Sequence, residues 1–191
     1  LAIPNVTIES AANLADSCRI RATARPVTDS EIHIEIWLPT AATWNGKFLG
    51  TGNGGYSSAL SYPQMTAALR QGYATAGHDT GHTGADPRFG FGHPEKVHDY
   101  AWRAVHLMTT TAKHLVRVHY GRHPAQSYFT GCSAGGHQAI SELQRFPDDY
   151  DGIIAGAPAN NRIRQTRQIA RKPIPVDQSL VGKSRQRSQS P

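Results

Sequence analysis

The chain has 191 residues, of which 38% are hydrophobic and 18% charged, with a formal net charge of +6; one sizeable core fits this length, and no run approaches the ~18 apolar residues of a membrane helix. The basicity sits at one end: Arg162, Arg164, Arg167, Arg171, Lys172, Lys183, Arg185 and Arg187 stand against Asp177 alone, so residues 1–161 are near neutral. A phosphate-backbone partner needs a basic face or a dedicated arm on the folded body, so neither a nucleic acid nor a membrane is the expected partner.

Leu1 is preceded by no Met and followed by no charged-then-apolar leader, so the sequence reads as a processed or clipped piece, with a signal peptide neither seen nor ruled out. Ile32, Ile34, Ile36 and Leu38 alternate with His33, Glu35 and Trp37, which predicts a half-buried strand ending at Pro39. After a turn at Asn45-Gly46, Lys47–Thr51 predicts a second strand running into the glycine-rich loop Gly52-Asn53-Gly54-Gly55. A short helix over Gln64–Gln71 is stopped by Gly72, Tyr73–Gly77 reads as a small-residue strand, and Gly81–Pro94 as a surface loop. The longest periodic element runs from Glu95 to about Tyr120, with Val97, Ala101, Val105, Met108, Ala112, Leu115 and Val118 on one stripe and Gly121 as its stop.

The next segment carries the chemistry. Gln126–Thr130 is aromatic and β-compatible, Gly136–Arg145 has helical spacing, and Gly131-Cys132-Ser133-Ala134-Gly135 lies between them as G-x-S-x-G. A serine on a strand-to-helix turn is exposed at the strand's C-terminal end, and its small neighbours permit the tight backbone. Ser133 is thus the candidate nucleophile. A third small strand follows at Ile153-Ile154-Ala155. Strands alternating with helices predict an α/β fold with a mostly parallel sheet covered on both faces. Residues 162–191 lack periodicity and are expected to be a disordered basic tail behind a domain spanning 1–161. Cys18 and Cys132 are too few for a disulfide framework: they pair with each other, stay free, or bond partners outside the chain.

Several segments taken in order resemble the tannase and feruloyl esterase family of α/β-hydrolases. They are Cys18-Arg19-Ile20, Ile34–Pro39, Trp44–Phe48, Gly52–Tyr56, Asp79–His82, Gly131–Gly136, Gln144–Pro147 and Asp151–Ala159. The resemblance covers roughly residues 2–161. It implies an α/β-hydrolase sheet, incomplete at its C-terminal side, and hydrolysis of small aromatic esters of feruloyl or galloyl type in a secreted or periplasmic setting. Ser133 would attack the ester carbonyl, with the oxyanion held by the N–H of Ala134 and by Gly54 or Gly55. The resemblance also implies that Cys132 bonds a cysteine beside the catalytic histidine, and that Cys18 has a partner upstream of Leu1.

In the family the triad acid and histidine follow the serine, beyond a lid that often holds calcium. Here His137 is the only histidine after Ser133, and it lies four residues along the same helix, where surface or loop packing is its expected role. Asp148, Asp149 and Asp151 resemble structural loop positions, and Asp79 and His82 read as polar loop contacts. His93, His98, His106, His114, His119 and His123 show no metal-ligand spacing and read as surface or packing residues. No cofactor or metal is expected, and the lid is absent from this sequence. The sequence thus reads as the nucleophile half of an esterase, a truncated or frame-shifted product without its base. The competing reading is a non-catalytic module binding aromatic ligands through the glycine loop. Which ester is cleaved, and the oligomeric state, stay open.

Overall fold

The computed structural model describes residues 3–161 and residue 164. The chain divides into two units, Leu1–Ala159 and Asn160–Pro191, and the sheet and its helices belong to the first. The expected disordered tail over 162–191 lies outside the described residues, Arg164 excepted.

Seven strands form one sheet: β1 (Val6–Asn13), β2 (Ser17–Ala24), β3 (Ile32–Pro39), β4 (Lys47–Thr51), β5 (Ala74–His78), β6 (Gln126–Cys132) and β7 (Gly152–Gly156), in spatial order β1-β2-β3-β5-β4-β6-β7. The pairs from β1 through β3 to β5 are antiparallel, and those from β5 through β4 and β6 to β7 are parallel. The α/β class is as expected, but the sheet is mixed, because a hairpin precedes the first anticipated strand. β1 is exposed along nearly its whole length, and β2 buries Ala22, Thr23 and Ala24 in succession, so neither strand shows clean alternation. A register shift between Ile8 and Ser10 bulges the outer strand, which makes it a poor template for edge-to-edge pairing.

Helix α1 (Tyr62–Arg70) packs on one face of the sheet, and α3 (Ala104–Tyr120) and α4 (Ala134–Arg145) pack on the other. The strand period decides which residues go where. Ile32, Ile34, Ile36, Leu38, Ala74 and Ala76 join Val105, Met108, Ala112, Val116 and Ala139 in the main core. Each fully buried Ile or Leu there contributes roughly 1.5–3 kcal/mol. The alternate positions turn to α1: Tyr62 stacks on Trp37 with centroids 5.9 Å apart, and Met65 closes against Gly77.

The long helix expected from Glu95 to Tyr120 is interrupted. A short helix α2 (Pro94–His98) passes through a π-helical turn, Asp99–Arg103, into α3. The wider turn rotates what precedes it, which leaves Val97 out of phase and 45% exposed while Val105 and Met108 are buried. Gly121 ends α3 in the left-handed conformation with φ 73°, as expected. β7 is an edge of the sheet among the described residues. Ile154 is 70% exposed, and Leu49, Tyr128, Ile153 and Ile154 help line a hollow of about 600 Å³ beside α1.

Candidate active site

β6 ends at Cys132 and α4 starts at Ala134, so Ser133 alone makes the turn. Its backbone has φ 59° and ψ −113°, a region that costs a non-glycine residue about 1–3 kcal/mol. Three main-chain bonds hold it there. Ser133 N–H donates to Gly156 O at 3.0 Å, and Ser133 O accepts from His137 N at 3.0 Å and Ala159 N at 2.9 Å. The side chain is exposed, and its hydroxyl has no partner among the described residues.

The flanking glycines follow from close approach of backbone to backbone. A Cβ on Gly131 would fall 2.4 Å from the carbonyl carbon and oxygen of Gly135, and one on Gly136 would fall 2.4 Å from Gly156 O. A Cβ on Gly135 would sit 3.0 Å from Asn53 O, so the second glycine of the motif docks the helix against the glycine loop. α4 begins at Ala134, two residues before the expected Gly136, because the motif's last residues already lie in the first turn.

The loop after β4 is fixed by polar side chains that the sequence reading did not single out. Gly52 N–H donates to Thr130 O at 3.0 Å, and Asn53 N–H donates to Gln138 Oε1 on α4 at 3.0 Å. The Asn53 amide in turn donates to Ala59 O and His78 O. Those bonds use the first two N–H groups of the loop and leave those of Gly54 and Gly55 without an acceptor among the described residues. Gly54 is exposed, with nothing within 4 Å of a Cβ built on it, and Gly55 has φ 58°. Tyr100 steadies the loop by donating its hydroxyl to Gly55 O at 2.7 Å. Ala134 N–H, in the first turn of α4, has no carbonyl four residues back within the helix. Gly52, Asn53, Gly54 and Cys132 line one cavity of about 380 Å³ with Leu60 and Pro63.

Strain gathers on this edge of the sheet. Thr80, Ser133 and Ala157 have φ of 65°, 59° and 37°, and each follows the C-terminal end of a parallel strand, β5, β6 or β7. Ligands of open α/β sheets bind outside those carboxyl ends. Asp79 and His82 belong to the same rim and are buried. The Asp79 carboxylate accepts N–H bonds from His33 at 3.0 Å and Gly81 at 2.9 Å, and the His82 Nε2 lies 2.8 Å from Tyr56 O. Both are loop contacts, as expected. Burial pushes Asp79 up to about 6 against the pull of those N–H groups. Burial alone takes His78 down to about 3 and keeps it neutral. Cys132 is exposed, Cys18 half-buried, and both thiols are free, so they do not bond each other.

A second polar cluster lies at the far end of α4. His106 Nδ1 stands 2.6 Å from Asp149 Oδ2 and 3.9 Å from Glu142 Oε1. Burial first, and then the Asp149 carboxylate, push Glu142 up to about 9. Burial opposes the charge on Asp149, but hydrogen bonding to His106 and Glu142 outweighs it and holds that group below the usual carboxylate range. From sequence alone His106 and Asp149 read as packing and loop residues, and Glu142 carries no signal.

A strained serine between a parallel strand and a helix, beside a glycine loop at the strands' carboxyl ends, defines an α/β-hydrolase. The chain belongs to the tannase and feruloyl esterase family: the family model described as "Tannase and feruloyl esterase" matches residues 18–173. It is 39% identical over 155 residues to "Probable feruloyl esterase B-1" of Aspergillus fumigatus, covering 81% of this chain and 29% of that protein. Among solved structures it is similar to an esterase from Aspergillus oryzae, with TM-score 0.84 and 32% identity over 89% of this chain and 38% of that one. Feruloyl esterase B from the same species gives TM-score 0.80 and 34% identity over 87% and 36%. The chain therefore spans about 29% of the length of the curated relative. No helix among the described residues is long and apolar enough to cross a membrane.

Proposed function

We propose that this chain carries the nucleophile and oxyanion donors of a serine hydrolase of feruloyl-type aromatic esters. The carrying observation is Ser133, exposed and held at φ 59° and ψ −113° at the start of a helix whose Gly135 packs against the glycine loop at Asn53 O. In that loop the N–H groups of Gly54 and Gly55 meet no acceptor among the described residues. Ser133 Oγ attacks the ester carbonyl and gives its proton to a general base. The oxyanion so formed is stabilised by Ala134 N–H and by Gly54 or Gly55 N–H. Collapse releases the alcohol and leaves the aromatic acyl group on Ser133, and water then frees the acid. The names of the relatives at 39% and 34% identity favour feruloyl over galloyl esters. An exported location is part of the same reading. Cys132, exposed beside the nucleophile, is proposed to bond a cysteine close to the base, as the resemblance implies.

Among the described residues no histidine is hydrogen-bonded to the Ser133 hydroxyl, so the base is proposed to lie outside them. The 191 residues alone are then expected to show no Ser133-dependent turnover, and finding such turnover would overturn that part. The site itself is tested by grafting residues 18–161 into feruloyl esterase B from Aspergillus oryzae and assaying methyl ferulate beside methyl gallate. The graft should prefer the ferulate, and Ser133→Ala in it should cost about a thousandfold or more. Undiminished turnover in that variant would refute the nucleophile, and a preference for gallate would refute the substrate class.

A further inference from the structure

We propose that His106, Glu142 and Asp149 bind one divalent cation of the zinc type, which clamps α3, α4 and the turn leading into β7. One ligand atom from each residue lies within 4.8 Å of the other two. The decisive observation is Glu142. Its side chain is fully buried, neither carboxylate oxygen meets a nitrogen or hydroxyl donor, and the group facing it is the Asp149 carboxyl, with which it can pair only by sharing a proton. Buried polar groups are almost always paired, and two facing carboxylates need a proton or a cation between them. Lys113 donates to the backbone carbonyl of Asp149 and makes no hydrogen bond to the Glu142 carboxylate.

The donor set and its surroundings favour the cation. One imidazole and two carboxylates form an N/O set suited to zinc, with three protein ligands and one open position. Ligand atoms about 2.0–2.1 Å from a tetrahedral centre lie roughly 3.3 Å apart. The observed 2.6 Å and 3.9 Å from His106 Nδ1 straddle that spacing, so small side-chain rotations suffice. His106 stacks on Phe146 with centroids 3.7 Å apart, which fixes the ring's orientation. The side chains of His106 and Asp149 are 28% and 14% exposed, which gives an ion a way in from solvent, while Glu142 forms the floor. Glu142 lies about 13 Å along α4 from Ser133, so the ion would stand apart from the ester chemistry, with water completing its fourth position.

The test uses the tag-free protein, titrated with Zn²⁺ by calorimetry and with Co²⁺ by visible absorption. One ion per chain should bind, with tetrahedral-type Co²⁺ bands, and Zn²⁺ should raise Tm. Glu142→Gln and His106→Gln should each weaken binding at least about tenfold and abolish the Tm rise, while His123→Gln, at an exposed histidine, should change neither. Circular dichroism checks that each variant is folded; where Glu142→Gln is not, the more exposed His106→Gln decides alone. Absence of saturable binding by the unmodified protein would overturn the site and leave a proton shared between the two carboxylates. Binding that survives both substitutions, or that His123→Gln weakens equally, would overturn it as surface histidine chelation.

Discussion

The antiparallel half of the sheet is stitched by side chains, whereas the parallel half is fitted backbone to backbone. On β2 and β3, Arg19 grips both oxygens of the buried Glu35, and Trp37 Nε1 and Tyr62 donate to the same carboxylate. Burial opposes the Glu35 charge, but the bonds from Arg19 and Trp37 outweigh it and hold the group below the usual range. On β4, β6 and β7 the close contacts are instead between Gly52, Gly131, Gly135, Gly136 and Gly156, with strained Ser133 among them. Side-chain networks tolerate partial loss because the remaining bonds persist. A backbone-to-backbone fit has no such reserve, and it is this half that holds a serine in a costly conformation.

Four substitutions separate the two kinds of construction. Gly131→Ala should have the largest effect, because its Cβ meets main-chain atoms at 2.4 Å that no rotamer can move aside; a loss of about 3 kcal/mol or more is expected in denaturant unfolding. Glu35→Gln should cost about 2 kcal/mol, since Arg19 keeps a partner but loses its charged fork. A Glu35 variant less stable than Gly131→Ala would reverse the comparison. Ser133→Gly should move the other way. Relief of the strain at φ 59° exceeds the entropy glycine adds to the unfolded chain, for a net gain of about 1 kcal/mol. Ser133→Ala keeps the strain and should leave stability within about 0.5 kcal/mol, so equal melting of the two variants would mean that Ser133 stores none.

The rim between the halves titrates. Asp79 has a folded pKa near 6, above the ordinary carboxylate value, so its contribution to stability is full below the unfolded pKa of about 3.8 and is lost as pH rises through 6. His78, buried and neutral, works the opposite way and loses stability as pH falls below about 6.5. Comparing the chain with Asp79→Asn isolates the first term. The difference in Tm between them should shift in favour of the unmodified chain by a few degrees from about pH 7.5 to about pH 5. A difference that is flat, or that shifts toward the variant, would mean Asp79 is ionised as easily folded as unfolded.

What the sequence disclosed follows the same division. The elbow was legible because the backbone dictates its residues: Gly131 and Gly135 are where a Cβ cannot go, and Ser133 is where the turn exposes a hydroxyl. The hairpin β1–β2 was not legible, because an exposed edge strand has no buried face to impose alternation. The anchoring roles of Asn53 and Gln138 carry no sequence signal, since each is an ordinary amide until the loop and α4 are brought together. His106, Glu142 and Asp149 come from α3, α4 and the turn after it, so no local spacing could link them.

The smallest effect is expected inside the glycine loop, and there it sharpens the comparison most. Gly52 and Gly54 are two residues apart, yet a Cβ on Gly52 would lie 2.7 Å from Gly135 Cα while one on Gly54 meets nothing within 4 Å. Gly54 also lacks a positive φ, so alanine there is unstrained. Gly54→Ala should therefore change stability by no more than about 0.5 kcal/mol, whereas Gly52→Ala should cost about 1–3 kcal/mol. A well-folded Gly54→Ala graft that loses ferulate turnover would assign the missing space to the substrate. Unchanged turnover would show that the substrate does not approach Gly54, leaving Gly55 as the proposed partner of Ala134.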